Sequence, residues 1–281
     1  MLKFDNFHDC TVVITGAASG IGKALALKFL NVGANVVGAD LLTQQSAFAQ
    51  PEFTKYENKF SPVVCDVSSI DDLQAMCEKT LEMYGEVNIL INNAGVMTRS
   101  ELAKSTISDW EWIFAVNLFG VVRGIEVFLP HLRSATRAHI VNTGSMAGLA
   151  PRLAGGQAIY SASKASVVSF SETLRAELAP QSIGVSVLCP HSINTEIWRS
   201  EKHRPDSYGE SHEFEIPERA SQGMDPEQVT NLVLAGIQDD REYIFTDAHG
   251  ITTDRIPTRI ARMDEDLNWL RSKVLDEGEI K

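Results

Sequence analysis

The 281-residue chain has little of what marks the alternatives to an ordinary globular fold. Cysteine is scarce: Cys10, Cys65, Cys77 and Cys189 lie far apart, with no CxxC pair, which argues against a disulfide framework or a zinc module. Basic residues are outnumbered, 25 against 37 acidic, for a formal net charge of −12 at pH 7. Nucleic acid or an anionic membrane surface calls for a basic face, so neither is expected as a partner. No apolar run approaches the ~18 residues of a membrane span, and the first ten residues lack the apolar stretch of a signal peptide. Free cysteines in apolar contexts complete the expectation of a reducing, cytoplasmic location. Repeats, low-complexity tracts and Gly/Ser/Pro linkers are missing too. His191, His203 and His212 stand near glutamates but without tight ligand spacing, so they read as a solvated loop and no metal is expected.

What is present is a regular alternation. Short runs at 11–15, 35–39, 63–65, 87–91, 139–142 and 185–188 read as strands, with a late one at 243–245; several are nearly continuous in Val, Ile and Leu. Helical periodicity occupies 21–31, 70–84, 108–132, 160–178 and 226–237, while 40–62 is poorly marked because Pro51 interrupts it. Strand–helix alternation at this spacing predicts an α/β fold, a single doubly wound parallel sheet of Rossmann type, in one domain over 1–255. Two stretches depart from it. The polar segment 196–223, with Pro205 and Pro217, reads as a lid insertion. The tail 256–281 reads as a C-terminal helical extension whose Ile260, Met263, Leu267, Leu270 and Val274 form a narrow apolar stripe, suited to the body or to another subunit.

The first strand runs into Gly16, Ser19, Gly20, Ile21 and Gly22 and then a helix. Glycine admits positive φ and close backbone approach, and the first amides of a helix face an anion, so this turn is a candidate pyrophosphate site. Asp40 closes the second strand, where a carboxylate can accept bonds from ribose hydroxyls. No Arg or Lys follows it until Lys55, so a 2′-phosphate would meet a bare carboxylate and NAD is expected over NADP. Asp66 and Val67 follow the third strand, where Asp66 can contact adenine or cap the next helix; Asn93, Ala94 and Gly95 follow the fourth. Tyr160 and Lys164, at i and i+4, share one helix face. An ammonium near a phenol favours the phenolate, which predicts a lowered pKa and a usable acid/base; Ser145 ends the fifth strand at the same sheet edge. Trp110 and Trp112 cannot share a helix face, so one is expected to pack and the other to line a surface.

Thr15-Gly16-(x)3-Gly20-x-Gly22, Asn92-Asn93-Ala94-Gly95, Asn117, Ser145 and Tyr160-(x)3-Lys164 together resemble the short-chain dehydrogenase/reductase family over about residues 8–195, with 226–245 added. The resemblance implies that Tyr160 exchanges the substrate proton and that Ser145 hydrogen-bonds the reacting oxygen. It implies that Lys164 holds the nicotinamide ribose and that Asn117 holds a proton-relaying water. Pro190, Ile193 and Thr195 match positions near the carboxamide, while His191 replaces the family's glycine and either faces substrate or is a tolerated loop residue. Stretches 184–205 and 225–245 further resemble bacterial dehydrogenases that oxidise benzylic alcohols of lignin-type aryl ethers.

Met97, Met146, Leu153, Gln157, His191, Ile197 and Trp198, with Ser145 and Tyr160, are therefore the expected substrate pocket. Its apolar character predicts an NAD-dependent oxidoreductase for a hydrophobic secondary alcohol or its ketone, aryl-substituted ones included. The alternative is a non-catalytic dinucleotide-binding sensor or scaffold on the same fold. A homodimer or homotetramer is expected by family resemblance.

Overall fold

The computed structural model describes residues 4–56, 58–151, 156–247 and 251–277. The strands are β1 (Thr11–Thr15), β2 (Asn35–Asp40), β3 (Phe60–Val64), β4 (Ile89–Asn92), β5 (Ala138–Thr143), β6 (Ile183–Cys189) and β7 (Tyr243–Phe245). They form one parallel sheet in the order β3-β2-β1-β4-β5-β6-β7. The helices are α1 (Gly20–Asn31), α2 (Pro51–Thr54), α3 (Ile70–Tyr84), α4 (Ile107–Asn117), α5 (Phe119–Ser134), α6 (Met146–Leu149), α7 (Ala158–Leu178), α8 (Pro226–Gln238) and α9 (Ile251–Glu277).

Burial on both faces explains the apolar runs. Val12 and Ile14 of β1 and Ile89 and Ile91 of β4 enter the core shared with α1 and α8. Val13 and Leu90 point the other way, into the core shared with α3, α5 and α7. Strand order reverses between β2-β1 and β4-β5, so the crevice above β1 and β4, at their carboxyl ends, is where a ligand is expected in such a sheet.

In four places the structure corrects or refines the sequence reading. The single helix over 108–132 is two helices, broken at Leu118 (φ −106°, ψ −59°), because Asn117 turns its amide onto the Val96 backbone. By length and composition Ile107–Ser134 is, among the described residues, a stretch apolar enough to cross a membrane, yet it is broken there and packs against α3 and α7. The unmarked stretch after Asp40 forms a 3-10 segment, Leu42–Ala49, and the one-turn α2 with Pro51 in its first turn. The 196–223 excursion is built of short 3-10 segments, Glu196–His203, Asp206–Tyr208 and Glu218–Ala220.

Candidate active site

One wall of the crevice is locked by side-chain-to-backbone hydrogen bonds. Gly16 (φ 66°) and Gly20 (φ 53°) adopt the left-handed region after β1, where a side chain would be strained. A Cβ on Gly16 would also lie 2.9 Å from the Ala94 Cα. Asn93 lashes this turn to the end of β4: its amide donates to the carbonyls of Thr15 (3.0 Å) and Gly16 (3.2 Å). The Thr15 hydroxyl accepts from the backbone of Asn93 and Ala94. Ser19, the N-cap of α1, makes no side-chain cap bond and the first turn carries no acid, so the amides there have no internal anion. Asp40 accepts from the Ala18 and Leu41 amides, both at 2.9 Å; burial nevertheless raises its pKa above the usual value. Asp66 binds the Ser68 amide and hydroxyl, and it is Ser69 that caps α3.

The chemical centre lies further along the same edge. Ser145 is the N-cap of α6 and accepts from the Ala147 amide at 3.0 Å. Gly148 brings α6 against α7, since a Cβ there would sit 2.6 Å from the Lys164 carbonyl carbon. Tyr160 and Lys164 project from α7; the Lys164 ammonium is 5.9 Å from the Tyr160 ring centroid and donates to the Thr143 carbonyl at 2.8 Å. This corrects the expected lowering of the phenol. Burial pushes Tyr160 up to about 12, opposed by the nearby Ser145 hydroxyl, while burial pulls Lys164 down to about 8. Both groups are desolvated, and the ammonium is directed at a carbonyl rather than at the phenol.

A single cleft of about 310 Å³ gathers nearly every predicted site residue: Gly16, Ser19, Gly20, Ile21, Asp40, Asp66, Val67, Asn93, Ala94, Gly95, Met97, Ser145, Met146, Gln157, Tyr160, Lys164, Pro190, His191, Ile193, Thr195, Ile197 and Trp198. Two stand behind its wall. Gly22 is a packing glycine, where a Cβ would meet the Gly16 carbonyl oxygen at 2.0 Å. Asn117 is fully buried, bonding Val96 and the Ser163 hydroxyl; a Cβ on Gly95 would lie 3.3 Å from both Asn117 Oδ1 and Lys164 Nζ. Leu153 lies outside the described residues.

The cover of the cleft holds what sequence reasoning missed. Arg204 donates to Asp109 at 2.6 Å and to the Tyr208 carbonyl at 2.7 Å, and its guanidinium lies 5.2 Å from the centroid of the buried Trp112 ring. His212 meets the same Asp109 oxygen at 2.8 Å, and Glu201 stands 3.5 Å from Arg204. Burial raises the Asp109 pKa, but Thr106, Arg204 and His212 together hold it below the usual value. The histidines are thus not a solvated loop: His212 bonds Asp109, and His203 lines the cleft close enough for its charge to act on Asp40. Trp112 is the packed indole of its pair, and Trp110 stacks on Phe114. Arg255, from the second turn of α9, also reaches the cleft wall. Among the described residues no His/Cys/Asp/Glu cluster is suited to a metal.

The uncapped α1 terminus, the glycine turn above β1 and β4, and the Thr143 hydroxyl, which is buried without a partner and borders the cleft, together fit a dinucleotide. Comparison with known proteins agrees. The family described as short chain dehydrogenase matches residues 10–206. The chain is 32% identical to the 3-oxoacyl-acyl-carrier-protein reductase FabG of Thermotoga maritima over 239 residues, covering 85% of this chain and 94% of that one. It is 31% identical to the C alpha-dehydrogenase of Sphingobium sp. over 249 residues, covering 85% and 81%. A short chain dehydrogenase/reductase of Burkholderia phymatum, solved in complex with NAD, superposes with a TM-score of 0.82 at 32% identity over 95% of this chain and 97% of that one. The chain belongs to the short chain dehydrogenase family of oxidoreductases.

Proposed function

We propose that the protein interconverts a hydrophobic secondary alcohol, aryl-substituted ones included, and its ketone, using NAD. The observation that carries this reading is the Tyr160 phenol, buried at the cleft wall, near enough to the Ser145 hydroxyl to feel it and set beside Lys164. The nicotinamide supplies the hydride chemistry when bound. Tyr160 Oη takes the proton as the alcohol becomes ketone and returns it in the reverse direction, and the Ser145 hydroxyl holds the reacting oxygen. Lys164 is the cation available to a ribose hydroxyl and to the developing phenolate. Asn117 is a positioning residue, holding Val96 and thereby the Gly95 turn against Lys164.

Gly16, Gly20 and the α1 amides would take the pyrophosphate, and Asp40 the adenosine ribose. A 2′-phosphate there would face a carboxylate already fixed by two amides, which supports NAD; burial and Lys202 hold the neighbouring His203 below its usual pKa, so near pH 7 its imidazole adds little positive charge there. The substrate end is lined by Met97, Trp112, Met146, Ile197 and Trp198, which favours aryl or alkyl groups over a short carboxylic acid. Similarity to the C alpha-dehydrogenase of Sphingobium supports the same choice. Four buried free cysteines accord with a cytoplasmic setting. The test is a panel of aryl alkyl carbinols, aliphatic secondary alcohols and short hydroxy acids with NAD and with NADP, followed by nicotinamide fluorescence. Higher kcat/KM for aryl carbinols with NAD is expected; preference for hydroxy acids or for NADP refutes the corresponding part.

A further inference from the structure

Among the described residues, helix α9 is fastened at one end only. Ile256 packs against the apolar cluster beneath β6 and β7. Arg255 donates to the Ala150 carbonyl, and Arg259 to those of Gly148 and Leu149. Beyond that anchor every side chain from Ile260 to Lys273 is exposed. Exposure reaches 60% for Ile260, 57% for Met263, 48% for Leu267 and 47% for Leu270. A helical overhang with no packed face has little to hold it in water, since helices of this length draw their stability from tertiary contact.

The spacing says what kind of surface would cover it. Ile256, Ile260, Met263, Leu267, Leu270 and Val274 advance by alternating fours and threes, the 3.5-residue period of a helix–helix seam rather than the wider stripe of a helix lying on a globular body. From Met263 to Val274 the seam also maps onto itself. A two-fold axis between Asn268 and Trp269 exchanges Leu267 with Leu270 and Met263 with Val274. The flanking charges follow the same symmetry: Asp264 and Arg271 lie on one flank of the seam, Asp266 and Lys273 on the other. In an antiparallel pair like flanks face each other, so Asp264 of each copy meets Arg271 of the other, and Asp266 meets Lys273. A parallel pair is excluded by the anchor, because Ile256 on the same seam faces its own body, where a parallel second helix would have to begin.

We propose that α9 is a dimerisation arm, paired with α9 of a second copy in an antiparallel, isologous contact about that axis. Arg255 and Arg259 join this arm to the carbonyls just after Met146, so assembly and the substrate wall share one element.

The test uses the full chain and reads mass, not activity. In sedimentation at micromolar concentration, wild type should run as a multiple of 30.9 kDa. Leu267→Glu with Leu270→Glu, both at exposed positions, should halve that assembly and weaken it at least ~100-fold, with the circular dichroism melt of the body unchanged. Arg271→Glu should weaken it less, and adding Asp264→Arg should restore it. Oxidised Leu267→Cys with Leu270→Cys should yield a cross-link joining 267 of one copy to 270 of the other. A monomeric wild type, an assembly that ignores the double glutamate variant, or a 267–267 cross-link overturns the proposal.

Discussion

On the cofactor side of the cleft, the ends of β1, β2 and β4 hold one another through hydrogen bonds from the Asn93, Thr15 and Asp40 side chains to the backbone. On the opposite side, residues 196–212 form no strand, and their deepest attachment to the body is the buried cluster of Arg204, Asp109, Glu201 and His212. The first region is fixed by geometry repeated along a sheet edge. The second hangs on a few charges, and that cluster is not even fully satisfied: Arg204 Nη1 and Glu201 Oε1 are buried without hydrogen-bond partners. A preformed wall suits a cofactor of constant shape. A cover held by an imperfect ionic lock is suited to opening, because such networks are costly to bury and lose their advantage once one partner leaves.

The comparison can be sharpened first at the chemistry both regions enclose. Tyr160→Phe should lower turnover by roughly 10³-fold, within the range of a lost general acid/base, while NAD affinity measured by fluorescence titration stays within about twofold. A parallel loss of NAD affinity would mean that the phenol belongs to the cofactor wall. Next comes the lock. Arg204→Met leaves Asp109 buried with less compensation and should destabilise the cover by about 3 kcal/mol, seen as roughly 100-fold faster proteolysis within 196–212. The same substitution should leave NAD affinity nearly unchanged; if cofactor binding collapses with it, the two regions are not separately built.

Acid should strain the sheet side. His139 of β5 is buried between Ser186 and the Phe4 ring, and burial pulls its pKa down from 6.5 to about 4. The unfolded chain takes up this proton as pH falls through 6.5, whereas the folded chain resists until about 4, so stability is lost across that window, by about 3 kcal/mol at most. Urea melts at pH 7, 5.5 and 4.5 should show the decline, and His139→Asn should flatten it. The smallest effect is at the ribose end: Asp40→Ala should narrow the proposed preference for NAD over NADP by roughly tenfold. An unaltered ratio of kcat/KM values would shift that preference to the cover, where His203 stands.

Much of the fixed region was legible in the chain. Strands buried on both faces are near-continuous apolar runs, the glycine spacing after Thr15 follows from the turn it must make, and Tyr160 with Lys164 follows from helical period. The break at Leu118 was not, because it lacks Gly or Pro and is set by Asn117 bonding Val96, 21 residues away in sequence. Nor was the lock legible, since Asp109 and Arg204 are 95 residues apart and each alone resembles a solvated charge. Lys55 is the first cation after Asp40 along the sequence, whereas in space the cover brings His203 close to it. The phenol's pKa went the opposite way from the ammonium argument because adjacency on a helix says nothing of how deeply both groups are buried.

The most direct measurement follows the hydride itself. An aryl alkyl carbinol deuterated at the carbinol carbon is incubated with NAD and either wild type or Tyr160→Phe, and the reduced nicotinamide is analysed by mass spectrometry and proton NMR. Direct transfer within one cleft, with Tyr160 taking the hydroxyl proton, predicts deuterium at nicotinamide C4 with wild type and almost none with the variant. Deuterium released to water, or equal labelling by the variant, would contradict that account.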